Sequence, residues 1–210
     1  MKYNLPMLIP VAAIWLLAKI EKLFDRIRTI WILALWGVKA ERGVLFQGKT
    51  LIRTRRSGDI RIGMNTEFNS TAKNNLVGLM TPTILDVRHG GKIIIGRRSG
   101  FSSVVMSSKT LITIGDDVKM GGNVRIFDHD FHSLDPRKRR SSEDRLDVRT
   151  KAVNIGDDVF IGTNAIILKG TNIGDRSIIA AGSVVFGLQV PPDSLVKGNP
   201  ATIRIRSERI

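Results

Sequence analysis

The sequence predicts an all-β coil of parallel strands built from six-residue units, preceded by an α-helical segment. Three observations predict it. Ile155, Ile161, Ile167, Ile173 and Ile179 recur at a step of six, with Val185 as the sixth member. That step fits neither the helical period of about 3.6 nor strand alternation. It marks a hexapeptide repeat, in which three units close one triangular turn and every sixth side chain points inward. The strings IGDDVKMG (114–121) and IGDDVFIG (155–162) nearly match, and Ile-Gly opens further units at Ile62-Gly63, Ile95-Gly96 and Ile173-Gly174.

The amino-terminal element comes first. Residues 5–18 form an apolar run, a charged stretch follows from Lys19 to Arg28, and a second apolar run covers 29–38. A spanning helix needs roughly 20 apolar residues, so neither run spans a membrane alone. A signal peptide fits poorly, because only Lys2 supplies an amino-terminal charge and no small-x-small cleavage site precedes the charges. Ile20, Leu23, Phe24 and Ile27 share one helical face, while Lys22, Asp25, Arg26 and Arg28 lie off it. All three tryptophans (Trp15, Trp31, Trp36) fall in this segment, and Trp favours the membrane–water boundary. Residues 1–42 are therefore expected to be helical and to lie on a membrane surface or to cap the main domain.

The coil follows, over residues 43–203, with clear repeat signals from Ile60 onward and a short tail at 204–210. Stiff β-branched residues suit the inward positions. Gly, Asn and Asp suit corners, where positive φ is cheap, so the 20 glycines need no phosphate-binding loop to explain them. Region 64–91 is less regular: Asn65, Asn69, Asn74 and Asn75 read as corner residues, and Thr81-Pro82-Thr83-Ile84 reads as a turn entering a strand. Between Ile126 and Val153 the hexads vanish. The excursion at 127–152 is too polar for the coil interior and too long for a corner, and such loops are usually functional or disordered. It opens with His129 and His132, with Asp128, Asp130 and Asp135 around them, and continues into the basic run Arg137–Arg140. His suits general base work near neutral pH, and a carboxylate partner fixes its tautomer.

Composition narrows the classes of function. The chain has no cysteine, which excludes disulfides and thiol chemistry. Lys and Arg number 33 against 19 Asp and Glu, a formal charge of +14, which points to anionic partners. Aromatic and basic residues are not interleaved and no reading motif appears, so nucleic acid is not an expected partner.

Together, the IGDDV hexads, DFHSLDP (130–136), GTNAIILKGTNIGDRSIIAAGSVV (162–185) and GNPA (198–201) make the chain resemble the hexapeptide-repeat acyltransferases, nearest to the O-acetyltransferases that act on sugars. The resemblance covers about residues 60–205. It implies a left-handed parallel β-helix, an exception to the usual right-handed crossover. It implies acetyl-CoA as co-substrate, no metal, and a homotrimer whose intersubunit groove holds the coenzyme. The family's His-Pro-Leu-Asp-Pro motif maps onto His132-Ser133-Leu134-Asp135-Pro136, which makes His132 the expected base and His129 the fallback, with Asp128 or Asp130 orienting it. Where the family carries an acceptor-site Asn this chain reads Phe101-Ser102-Ser103, so Ser102 or Ser103, with Asp128, is expected to meet the acceptor. Phe160, Thr163, Ala181, Gly182 and Ser183 match coenzyme-contacting positions. The family's Thr-Lys is replaced by Phe186-Gly187, so Lys197, Arg204 or Arg206 is expected to meet the phosphates.

The function implied is transfer of an acetyl group to a sugar hydroxyl of a capsule, O-antigen or exopolysaccharide precursor. The acceptor would be a saccharide or lipid-linked saccharide, at the inner face of the cytoplasmic membrane. Two alternatives stay open. The γ-class carbonic anhydrases resemble this coil and bind zinc through three His, and this chain has three: His89, His129 and His132. A non-catalytic trimeric membrane-associated scaffold would explain the altered Asn and Thr-Lys positions.

Overall fold

The computed structural model describes residues 5–72 and 75–205. Asn74 and Arg206, to which the sequence reading assigns roles, lie outside them. The coil is as expected: three parallel sheets wrap one apolar core. The first sheet stacks seven strands in the order Lys39–Ala40, Ile60–Ile62, Ile93–Ile95, Ile112–Ile114, Val153–Ile155, Asn172–Ile173 and Gln189–Val190. The second stacks Leu45–Gly48, Glu67–Ser70, Gly100–Ser102, Lys119–Met120, Phe160–Ile161, Ile178–Ile179 and Ser194–Gly198, and ends on the antiparallel Ala201–Ile205. The third stacks Thr50–Arg53, Thr83–Val87, Val105–Ser108, Arg125–Phe127, Ile166–Leu168 and Val184–Phe186.

The six-residue ruler sets the register. Ile155, Ile161, Ile167, Ile173, Ile179 and Val185 are all buried, two on each sheet. The insertion between Ile95 and Ile114 leaves the pairing intact, since Ile93, Ile112 and Val153 still stack. In the early rungs aromatic rings replace the β-branched fill. Phe46 stacks on Phe68 at 4.5 Å between centroids, and Phe68 lies 5.0 Å from Phe101.

The IGDD string has a physical explanation at the corner between the first and second sheets. Its first Asp reaches to the adjacent rung and accepts a backbone N–H: Asp116 from Arg97, Asp157 from Asp116, and Asp175 from Asp157, at 2.8–2.9 Å. The preceding Gly makes room, because a Cβ on Gly115 would collide with Asp157 Oδ1 and with the Gly156 carbonyl. The second Asp takes the left-handed turn, at φ +59° for Asp117 and +55° for Asp158, which Asp tolerates better than most residues.

The structure differs from the sequence reading at both ends. The coil starts a full rung before Ile60, because the strand Lys39–Ala40 already pairs with Ile60–Ile62. The carboxy-terminal strand Ala201–Ile205 folds back on the coil, so residues 204 and 205 are not a free tail. Region 64–91 contains one rung, whose strand Thr83–Val87 follows the predicted turn. Asn65 is a corner residue at φ +55°. Asn69 lies within a strand and Asn75 donates to Ser102 Oγ at 2.8 Å, so neither forms a corner.

The amino-terminal segment is one helix, α1 (Leu5–Leu35), about 46 Å long at 1.5 Å per residue. Its charged stretch does not break it. Its last turns close the open end of the coil: Thr29 is buried, its Oγ1 accepts the Phe46 N–H at 3.0 Å, and Arg28 donates to the Phe46 carbonyl. Asp25 holds Arg28 at 2.7 Å, and Ile32 and Leu33 pack on the core. This polar-edged face grips the coil. The opposite face, with Ile20, Leu23, Phe24, Ile27 and Trp31, is exposed. Among the described residues no helix is long and apolar enough to cross a membrane.

Candidate active site

The third sheet hands the chain to the first at one corner, and the excursion leaves there. After Phe127 the backbone steps out and returns at Val153, held by a bridge between His129 and Thr150 and by Lys151 N–H on the Asp128 carbonyl. At its tip, Asp135 caps the short helix α2 (Pro136–Arg139) and Pro136 begins it. Asp128 keeps the inward phase of Ile126, and with the strand ended at Phe127 the next residue, His129, is buried beside it. The Asp128 carboxylate, with no solvent exposure, accepts from Ser108 Oγ (2.7 Å), Lys109 N–H (2.8 Å) and Thr110 N–H (2.8 Å), and sits 2.9 Å from His129 Nδ1. Burial alone would raise the carboxyl's pKa. The bonds from His129, Lys109, Ser108 and Thr110 outweigh it and hold the pKa below the usual carboxylate range.

The consequence falls on His129. With Nδ1 committed to a carboxylate, the proton of the neutral ring belongs on Nδ1, and Nε2 is left as the basic atom. That Nε2 is buried and has no hydrogen-bond partner, and the ring lines a cavity of about 370 Å³. His132 lies on the same cavity but is largely exposed, at 66%, with Nδ1 2.7 Å from Asp144. The His132 contact is also the main reason Asp144 titrates below its usual range.

All three histidines line this cavity, together with Arg53, Arg88, Lys109, Phe131 and Arg145. Among the described residues no group of three or more His, Cys, Asp or Glu is arranged to hold a metal ion. The adjoining hollow of about 410 Å³ on the outer face of the third sheet is mostly apolar, lined by Leu51, Ile84, Val105, Phe127 and Phe131 together with Arg53, Asp86 and Arg88. A wider hollow of about 660 Å³ beside Lys39, Arg61 and Arg97 contains no histidine and lies on the first sheet.

The remaining residues expected from the sequence are distributed as follows. Asp130 turns away from both histidines to pair with Lys169, so it orients neither. Asp128 is the orienting acid, and its full burial removes it as an acceptor contact. Ser103 is fully buried at a left-handed corner, so it makes no acceptor contact. Ser102 Oγ is engaged by Asn75 on the second sheet, away from the histidine corner. Thr163, Ala181 and Gly182 come together on adjacent rungs, with Gly182 N–H on the Thr163 carbonyl at 2.9 Å. They form the corner between the second and third sheets. Ser183 beside them is buried, and its Oγ accepts the Gly198 N–H, so only its backbone is available to a ligand. Phe160 is half exposed on the second sheet, and Lys197 and Arg204 lie on the terminal hairpin.

Sequence reasoning missed Arg53, Arg88, Lys109, Phe131 and Arg145. The first two and Asp86 form a cluster: Arg53 grips Asp86 through two bonds at 2.5 and 2.8 Å, and Arg88 adds a third at 2.6 Å. Burial would raise the Asp86 pKa, but bonds from Arg53, Arg88 and Ser107 bring it down to about 2. The Arg88 guanidinium also lies 5.4 Å from the Phe131 ring centre. A signal was present: Arg53, Arg88, Lys109 and His129 all stand at the exits of successive third-sheet strands and so share one corner, with Arg53 in register with Asp86.

Comparison with known proteins agrees with this geometry. A family profile described as "Hexapeptide repeat of succinyl-transferase" matches residues 152–186. The crystal structure of the hexapeptide-repeat-containing acetyltransferase VCA0836 from Vibrio cholerae is 30% identical, with a TM-score of 0.55, over 93% of this chain and 91% of that one. A second structure of that protein holds acetyl coenzyme A. The galactoside O-acetyltransferase of Escherichia coli is 32% identical over 55% of this chain and 54% of its own length. The chain spans about half the length of the first curated relatives it matches. AntD, an N-acyltransferase from Bacillus cereus, shares the fold at a TM-score of 0.66 and 20% identity, over 84% of this chain and 87% of that one. The fold is thus a left-handed parallel β-helix, and the chain belongs to the hexapeptide-repeat acetyltransferase family.

Proposed function

We propose that this chain is an acetyl-CoA-dependent O-acetyltransferase acting on a hydroxyl of a saccharide. The observation that carries the reading is the buried Asp128–His129 pair, whose Nε2 has no hydrogen-bond partner and whose His129 lines a cavity at the edge of a rigid coil. His129 takes the proton of the acceptor hydroxyl at Nε2. The oxygen attacks the thioester carbonyl, and the tetrahedral intermediate collapses by breaking the C–S bond. The thiolate takes the proton back from the imidazolium. Asp128 stabilises that imidazolium, and no acyl-enzyme is needed in a chain without cysteine. His132, which the sequence motif favours, stands at the mouth of the same cavity and is assigned to acceptor binding.

The donor is placed on the rungs carboxy-terminal to His129. Thr163, Ala181 and Gly182 offer a narrow edge for the pantetheine arm, Phe160 a face for the adenine, and Lys197 and Arg204 charge for the phosphates. A homotrimer, in which a neighbouring copy closes this edge, fits the reading. The test is direct: acetyl-CoA incubated with the full chain and a panel of saccharides should yield O-acetylated product and free CoA in equal amounts. Acetyl-CoA left intact with every acceptor would remove the reading.

The helix α1 supports placement at a membrane surface. Its polar-edged face is spent on the coil, while Ile20, Leu23, Phe24, Ile27 and Trp31 face outward beside Lys19, Lys22 and Arg26. An apolar stripe flanked by cations suits an anionic lipid surface. The chain should sediment with anionic vesicles and lose that binding when Leu23 and Phe24 are both changed to Ser. Equal sedimentation of both forms would refute the placement.

A further inference from the structure

We infer that the site takes an acceptor carrying a phosphate or diphosphate group, gripped by the cationic column on the amino-terminal side of His129. The inference rests on the transferase reading above and adds the chemical class of the acceptor. Two contiguous hollows, of about 370 and 150 Å³, run from His129 down the corner, and no carboxylate lines either. Arg53, Arg55, Arg88, Lys109 and Arg145 do line them, together with His89. Asp86 is the only carboxylate among the described residues that pairs with this set, and it is shared by Arg53 and Arg88. Arg55, Lys109 and Arg145 have no carboxylate within ion-pair distance among the described residues; Lys109 donates to the Arg145 carbonyl at 3.3 Å. Like charges held this close around an open hollow repel one another, and an anion entering it relieves that repulsion.

Direction along the coil assigns the anion to the acceptor. The proposed donor rungs, at 160–163 and 178–183, lie on the carboxy-terminal side of His129, and the cationic column lies on the amino-terminal side at 53, 88 and 109. A phosphate there sits beyond the base from the thioester, where an acceptor's substituent belongs. Arg forks match phosphate oxygens in pairs, and Phe131, beneath Arg88, offers an apolar face to a sugar ring. The basic run that the sequence marks out, Arg137–Arg140, does not take this role. Lys138 pairs with Asp147, Arg139 donates to the Ser133 carbonyl and Arg140 to the Pro136 carbonyl, so these groups hold the excursion together.

The experiment is calorimetric titration of pyrophosphate into the full chain in the presence of saturating CoA. Pyrophosphate should bind, and Arg145→Ala or Lys109→Ala should each weaken it by about tenfold or more, the scale of one lost charge-assisted contact. Arg137→Ala, at an exposed position off the cavity, should leave it unchanged. No binding, binding indifferent to Arg145→Ala and Lys109→Ala, or binding abolished by CoA would each overturn the site. Transfer assays then compare a neutral hexose, its 1-phosphate, its nucleoside diphosphate ester and its polyprenyl diphosphate ester in vesicles. Preference for a phosphorylated form supports the inference, and the better of the two diphosphates identifies the source. Preference for the neutral sugar overturns the inference and leaves the transferase reading standing. Pyrophosphate bound without transfer to any acceptor would remove the transferase reading, and the acceptor assignment with it.

Discussion

His129→Asn should reduce acetyl transfer by about 10²–10⁴-fold, the contribution of a well-placed general base. The substitution keeps a polar group near Asp128 and removes the atom that accepts the proton. Coenzyme affinity should not change, because the donor rungs lie elsewhere, so the loss should appear in kcat. His132→Ala, by contrast, should cost under about tenfold, the scale of one binding contact. The two variants separate the rival bases. The HSLDP motif favours His132, whereas burial, the Asp128 contact and the free Nε2 favour His129. If His132→Ala abolished transfer and His129→Asn spared it, the motif would be the better guide and the roles would exchange. Rates of both variants under saturating acetyl-CoA decide the matter.

Asp128→Ala should fail in a second way, through stability as well as rate. Four donors meet this one buried carboxylate: Ser108 Oγ, the backbone N–H groups of Lys109 and Thr110, and the His129 ring. Removing it leaves them unpaired inside the protein, at a cost of about 3–5 kcal/mol. The same bonds give the folded state a sign in pH. Because the folded-state pKa is depressed, Asp128 contributes its full stabilisation above the ordinary carboxylate range, near pH 4. That contribution drains away as pH falls through the lower folded value. Denaturant unfolding of the wild type should therefore show stability lost on acidification. Asp128→Ala should be less stable at neutral pH and lose less on acidification. Equal stability of the two proteins at neutral pH would contradict this account of the corner.

The late rungs were readable because one rule governs them. Every sixth residue from Ile155 to Val185 is β-branched, so the period stands out in the sequence and every predicted residue is buried. The early rungs follow the same geometry with different chemistry. Phe46, Phe68 and Phe101 fill the interior, and two excursions stretch the spacing, so a search for Ile-Gly hexads starts a turn late. The site divides along the same line. The excursion announced itself by breaking the period, but the spacing of His129 and His132 does not say which ring is buried. That follows from the bonds that fix Asp128 and from its contact with the His129 ring. The cationic column was hidden for a related reason. Arg53, Arg88, Lys109 and Arg145 are scattered in sequence, and only the pitch of the coil and the path of the excursion bring them to one corner.

The amino-terminal helix shows the limit of reading faces from sequence. The stripe Ile20, Leu23, Phe24 and Ile27 was legible as a face, but not its partner. The core is already sealed by Thr29, Ile32 and Leu33, so the more apolar stripe is turned away from the protein.

The central claim is that His129 Nε2 is the atom at which the acceptor hydroxyl loses its proton. A crystal structure of the full chain with CoA bound tests it most directly. The account predicts the coenzyme thiol sulfur within about 3–4 Å of His129 Nε2, with the pantetheine arm running along the corner of Thr163 and Gly182. A sulfur beside His132, or on the outer face of the first sheet beyond reach of His129, would contradict it.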